Sequence, residues 1–256
     1  MGPPLSVIRI LPNKTLGEVR LIKSISFLAR KPGLSRAQFV DHWLNVHVPM
    51  CHAVPGLRGY SVSTIVEDQP RADVAALGMG DFDGVAQVWF DSLEARAQAG
   101  ASAEGKRWHA DGGTIIGGIR MFVTHERFVV GLSKADRPKY KALSVIKRKA
   151  DLTREQFHHE WAVAHAPMAR TVPGLRGFSL SEIVEEQFRP DIPPFPLDGP
   201  VDGFTESWWD SPQTRAAALA SQAGKDWFAH GSTFIGQVRS TLLEERLIVP
   251  VPETTI

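Results

Sequence analysis

The sequence predicts an α+β chain built twice over, and three observations carry that reading. Residues 35–59 (SRAQFVDHWLNVHVPMCHAVPGLRG) align without a gap on residues 153–177 (TREQFHHEWAVAHAPMARTVPGLRG), an offset of 118. Residues 83–92 and 104–117 recur at 202–211 and 223–236, where the offset is 119 after a one-residue indel. Between the copies, residues 131–139 (GLSKADRPK) are polar, carry Gly and Pro and lack hydrophobic period, as a linker does. The 256 residues therefore divide into a first unit over 19–130 and a second over 139–249, each of ordinary domain size.

Each unit reads in the order β-α-β-β-α-β. Short runs of β-branched and aromatic residues at 21–28 and 140–146 predict the opening strands. Ser35 and Thr153 precede amphipathic stretches, with Gln38 and Gln156 three residues on, the signature of a capping box. The helices they begin are expected to stop by the Val48-Pro49 and Ala166-Pro167 steps, because a residue before proline avoids the helical region. Second strands follow at 59–66 and 177–184, and third strands at 85–90 and 204–209. Residues 92–110 and 211–230, rich in Ala, Gln, Arg and Lys, predict one further helix in each unit, and 115–123 and 234–243 the closing strands.

This is the order of a ferredoxin-like unit, four antiparallel strands with both helices on one face. The other face is bare, and a covalently tethered copy covers it at no cost in concentration. The fold class expected is therefore two ferredoxin-like units packed as an intrachain pseudo-dimeric α+β barrel. Long insertions at 67–84 and 185–200 separate the second and third strands and are expected to be pocket covers or dimer arms.

Composition narrows the function. Lys plus Arg total 29 against 28 for Asp plus Glu, so no surplus charge is available for nucleic acid or an anionic membrane. The single cysteine, Cys51, excludes an internal disulfide and a thiolate metal cluster, and fits a reducing compartment. With no apolar run of about 18 residues and no basic leader at the start, the expected location is the cytosol. No phosphate-cradling loop, dinucleotide fingerprint or zinc pattern occurs, so no cofactor and no metal are expected.

The candidate chemistry sits on the first helix of each unit. Phe39, Trp43 and His47 are spaced i, i+4, i+8 and share one stripe, repeated as Phe157, Trp161 and His165. The aromatic residues must face the sheet, so the histidines follow them inward. Each histidine could equally cap the last helical turn. Tyr60 stands where the second unit has Phe178, so the fold accepts a ring without a hydroxyl there, and the phenol becomes a candidate proton donor or oxyanion partner. Cys51 and His52 add to the first unit's titratable cluster, which places the expected main site there. Arg58 and Arg176 are candidate carboxylate anchors or partners of acidic neighbours. Trp43, Trp89, Trp161 and Trp208 suit aromatic pocket walls, and Gln87, Glu206 and His109 are further substrate-binding candidates.

The residues F-x-x-H/E-W-x-x-x-H-x-P followed by P-G-L-R-G-Y/F resemble the EthD family of the dimeric α+β barrel superfamily, here as a tandem duplication. The resemblance implies a hydrophobic pocket between sheet and helices, and relatives that include cofactor-free lactone isomerases, polyketide-modifying lyases and proteins of ether and aromatic degradation. In the isomerase relatives the histidine of H-x-P and the tyrosine after the glycine turn belong to the pocket; here these are His47 and Tyr60, with His165 but no tyrosine in the second unit. The expected function is a cofactor-independent lyase or isomerase using acid–base chemistry on a small aromatic or lactone-like catabolite. The alternatives are a barrel-type monooxygenase or haem-binding protein and a non-catalytic carrier of a hydrophobic intermediate. A homodimer of the tandem chain is left open.

Overall fold

A computed structural model of the chain describes residues 21–132 and 136–251. The first unit runs β1 (Ile22–Arg30), α1 (Arg36–His42), β2 (Gly59–Asp68), β3 (Ala75–Ala76), β4 (Gly84–Phe90), α2 (Leu93–Ala101), α3 (Ala103–Ile115) and β5 (Ile116–Val130). The second runs β6 (Tyr140–Arg148), α4 (Arg154–His158), β7 (Gly177–Gln187), β8 (Gly203–Trp209), α5 (Pro212–Ala220), α6 (Gln222–Phe234) and β9 (Ile235–Val249). Both capping boxes form, with the Ser35 and Thr153 side chains accepting from the backbone N–H of Gln38 and Gln156 and their own backbone N–H groups donating to the glutamine side-chain oxygens.

Within each unit the strand order is second, third, first, fourth: β2-β4-β1-β5 and β7-β8-β6-β9, all antiparallel. The sequence foresaw one sheet covering the other; the structure also joins their edges. The 15-residue strands β5 and β9 run past their own units, β5 pairing with β7 and β9 with β2, so that eight strands close into one antiparallel barrel. Closure satisfies the backbone groups that the outer strands of two separate sheets would leave unpaired. The short β3 adds in parallel to β9.

Side chains alternate between lumen and helix-covered exterior. One end of the lumen is apolar, where Phe27 meets Phe82, Phe122 and Phe204. The other end holds a buried charge network. An eight-stranded barrel has room for little besides its own side chains, and this one is filled by them. Outside the barrel, each unit's helices pack through Trp43 and Trp161 into notches left by Gly84 and Gly203. A Cβ on either glycine would lie 2.4 Å from Trp43 or 2.3 Å from Trp161.

Three expectations change. The first helices do not stop before proline: α1 widens into a π turn over Trp43–His47 and then tightens into a 3-10 turn over Val48–Ala53, and α4 does the same over His159–His165 and Ala166–Thr171. Each proline opens the new 3-10 turn, where its missing N–H has no partner to lose. The second helices are each broken in two, at Ser102 and Ser221, whose extended backbone ends one helix while the side chain caps the next. The long insertions reach across to the opposite unit. Arg71 donates to the Phe228 carbonyl at 2.8 Å and Arg189 to the His109 carbonyl at 2.8 Å. Part of the 131–139 linker, residues 133–135, lies outside the described residues. Beyond it Arg137 enters the barrel mouth, bonding Glu245 at 2.8 Å and lying over the Trp208 ring.

Candidate active site

The π turn of α4 carries His165 into a cavity of ≈ 130 Å³ between the outward face of the second unit's strands and its helices. Ser144, Thr205, Ser207 and Ser240 form a polar floor, with Ser144 and Ser240 hydrogen-bonded at 2.6 Å. Trp161, Phe178, Trp209 and Trp227 form the walls. Gln69, Arg71 and Arg215 line it as well, the first two contributed by the other unit.

His165 is buried and stacked on Trp227, with ring centroids 5.6 Å apart. Burial, then the nearby His230 and Arg71, pull its pKa down to about 3, so the imidazole is neutral. Its Nδ1 lies 3.3 Å from Nδ1 of His230, whose Nε2 lies 3.6 Å from Glu160. His230 and Glu160 are progressively more exposed, which makes a polar path from the chamber to the surface. Arg215 donates through Nη1 to Gln69, while its buried Nε has no acceptor. Burial brings this guanidinium down to about 10.

The first unit uses the same positions differently. His47 Nδ1 meets Asp111 at 2.8 Å, and His42 Nε2 meets the other oxygen of that carboxylate at 3.1 Å. Burial lowers the His47 pKa, and Asp111 offsets it only in part. The Trp108 ring stacks on His47 at 5.3 Å and takes the edge of Tyr60 at 5.4 Å, so positions 47 and 60 share one compartment. The Tyr60 hydroxyl is buried without a hydrogen bond, and burial raises its pKa. Tyr60, Val88, Met121 and Ser24 stand where the second unit has Phe178, Ser207, Ser240 and Ala142. The larger set fills the space, leaving a ≈ 60 Å³ gap beside Trp108. The sequence placed the main site in the first unit; the chamber is in the second.

Residues 31–118 match the EthD domain family, and residues 140–244 match the methylmuconolactone methyl-isomerase family. The chain joins an EthD domain to a methyl-isomerase-family domain in tandem. A 4-carboxymethyl-4-methylbutenolide mutase from Pseudomonas reinekei is 28% identical over 105 residues, spanning 41% of this chain and 96% of that protein. The crystal structure of an anthrone oxidase-like protein superposes with a TM-score of 0.60 at 13% identity, covering 93% of this chain and 99% of that one. At such identity the superposition shows the barrel fold alone.

The remaining candidates of this tandem chain fall into separate places. Trp161 lines the chamber, while Trp43 packs on Phe39. Cys51 is fully buried in the first unit's apolar core, where burial pushes its thiol up to about 11. His52 is exposed. Arg58 pairs with Asp91 at 3.4 Å, and Arg176 with Asp210 at 2.7 Å and with Asp136. Gln87, Trp89, Glu206 and Trp208 point into the barrel lumen, on the opposite side of the sheet from both histidines. His109 sits at the mouth of an open cleft in the first unit. Sequence reasoning overlooked Asp111, Glu160, Arg96, Arg215, and the Gln and Arg of the crossing loops. A signal was there: the loops repeat E-x-Q-x-R-x-D at 67–73 and 185–191, at the same offset of 118. Among the described residues no cluster of His, Cys, Asp and Glu could hold a metal ion, and no helix is long and apolar enough to cross a membrane.

Proposed function

We propose that this tandem chain is an isomerase of small carboxylate-bearing lactones, with its working site in the second unit and the acid–base chemistry supplied by side chains. The observation that carries the reading is the chamber itself: ≈ 130 Å³, walled by aromatic rings and holding one neutral imidazole. A cavity of about 150 Å³ takes a benzene ring, so this one suits a five- or six-membered ring and little more. The second-unit match to the methyl-isomerase family and the mutase relative support the same substrate class.

In this reading the lactone ring lies between Trp227 and the serine floor, and Arg215 takes the carboxylate on its open Nε edge. Neutral His165 removes a proton from the carboxymethyl carbon as the bond from C4 to the ring oxygen breaks, so that the electron pair leaves on the ring oxygen as a carboxylate. The negative charge that develops on the ring oxygens is met by the floor hydroxyls. His230 takes the proton from the imidazolium and, with Glu160, exchanges it with the surface. Closure of the other carboxylate onto the former ring C3, with return of the proton to the former C2, gives the isomeric lactone with no net change in oxidation. A positioned general base contributes about 10²–10⁴-fold.

The test is NMR of a 4-carboxymethyl-4-methylbutenolide in D₂O with purified protein. Wild type should convert it and incorporate deuterium, and His165→Ala should lose both. Unchanged conversion by His165→Ala, or no conversion and no exchange by wild type, rejects the proposal.

A further inference from the structure

The first unit carries an open cleft of ≈ 410 Å³ that has no part in the chemistry above. It runs between α2 and α3 on one side and the 187–191 loop of the second unit on the other. Three cations face it: Arg96, Lys106 and Arg189. Asp191 is the one carboxylate lining it, and both of its oxygens are occupied by Arg189, at 3.0 and 2.5 Å. Arg96 and Lys106 are left over. The half-buried Arg96 commits one N–H to the protein, from Nη1 to the Gln187 side-chain oxygen, and Gln187 in turn donates to Glu185. Glu185 also acts on Arg96 at longer range, without a salt bridge. The ammonium of Lys106 has no ion pair among the described residues and stands in the open.

Above these cations is an apolar surface that the fold does not need. Phe188 is 62% exposed, a large ring left in solvent at the cleft mouth, where the equivalent loop of the other unit has Pro70. Met121 closes the floor. A guanidinium and an ammonium, neither in a salt bridge, beside an exposed ring complement a planar anion, with its carboxylate between Arg96 and Lys106 and its ring against Phe188. The volume lies within the range of ordinary small-molecule sites, and His47 does not line it.

We infer that the first unit binds a small aromatic carboxylate in this cleft, as a site separate from the second unit's chamber and without turnover. The inference stands on the cleft alone and does not require the lactone reading.

Calorimetric titration of the full chain with 4-fluorobenzoate, and with 4-fluorobenzamide as the neutral match, tests it. Wild type should bind the benzoate. Lys106→Glu and Phe188→Ala, both at exposed positions that leave folding intact, should each weaken one class of sites by about tenfold. The amide should bind that class at least about tenfold more weakly. No binding to wild type, isotherms unchanged in both variants, or equal binding of the amide overturns the inference.

Discussion

The Lys23 ammonium on β1 is buried against the Glu206 carboxylate on β8, a contact that crosses the barrel lumen from one unit to the other. Glu126 meets the same ammonium at 2.8 Å, while Lys141 meets Glu206 at 2.8 Å and Glu245 at 2.7 Å. With Arg137 on Glu245, three cations and three carboxylates balance inside the barrel. The repeat would place Gln87 and Glu206 at equivalent positions, and the amide resolves the symmetry: it donates to Glu206 at 2.8 Å and accepts from Lys141 at 2.7 Å. A carboxylate at both positions would add an unmatched negative charge at a fully buried position.

Lys23→Met should therefore be costly, because it leaves Glu206 and Glu126 short of a cation in the lumen. Removing one partner of a buried pair costs about 3–5 kcal/mol, readable as a shift in the urea midpoint. A loss within the scatter of surface substitutions would show that the network is solvated.

Acid should unfold the protein in two stages. His165 in the unfolded chain takes up a proton near 6.5, whereas the folded state refuses it until about 3. The stability this contributes is complete above pH 6.5 and drains away as pH falls towards 3. Burial opposes ionisation of Glu206, but Lys141 and Lys23 hold its carboxyl down to about 2, so its share is complete above about 4.5 and is lost on the way to 2. Melting temperature should fall between pH 6.5 and 4.5, and His165→Phe should flatten part of that slope; His47, also depressed, keeps the remainder. An identical slope in the variant would mean that His165 is not buried neutral.

Gly84→Ala and Gly203→Ala should each destabilise the fold, because the added methyl meets the Trp43 or Trp161 ring at less than contact distance. Overpacking of this kind typically costs about 1–3 kcal/mol, measurable by chemical denaturation. Gly203→Ala should also perturb the chamber through Trp161, raising KM for the lactone, whereas Gly84→Ala should leave KM alone.

Arg215→Gln keeps a polar side chain near Gln69 and removes the charge. KM for a carboxylate-bearing lactone should rise by about tenfold or more, with kcat changed far less, since the interaction acts on bound substrate throughout. The methyl ester of the same lactone should show no such difference between wild type and variant. Equal KM for acid and ester in wild type would remove the anionic anchor from the mechanism.

Much of the architecture was readable beforehand because it is written in local or periodic terms. The Ser35 and Thr153 capping boxes depend on three-residue spacings, and the inward turn of His47 and His165 follows from the four-residue spacing shared with their tryptophans. Helix breaks at Ser102 and Ser221 were less visible, since serine is tolerated inside a helix and acts as a cap only when the chain turns there. Arg71 and Arg189 escaped notice because loop residues gain a role only from what the loop reaches.

By itself, the sequence determined that this chain is a duplicated α+β unit with one inward histidine in each copy, because repetition, period and caps are properties of neighbouring residues. Which copy has an open chamber was decided only in three dimensions. Tyr60, Val88 and Met121 lie on three different strands, and their bulk narrows the space beside His47, while Phe178, Ser207 and Ser240 leave the second unit's chamber open. The same holds for the lumen: Lys23 and Glu206 are 183 residues apart, and closing the barrel makes them a pair.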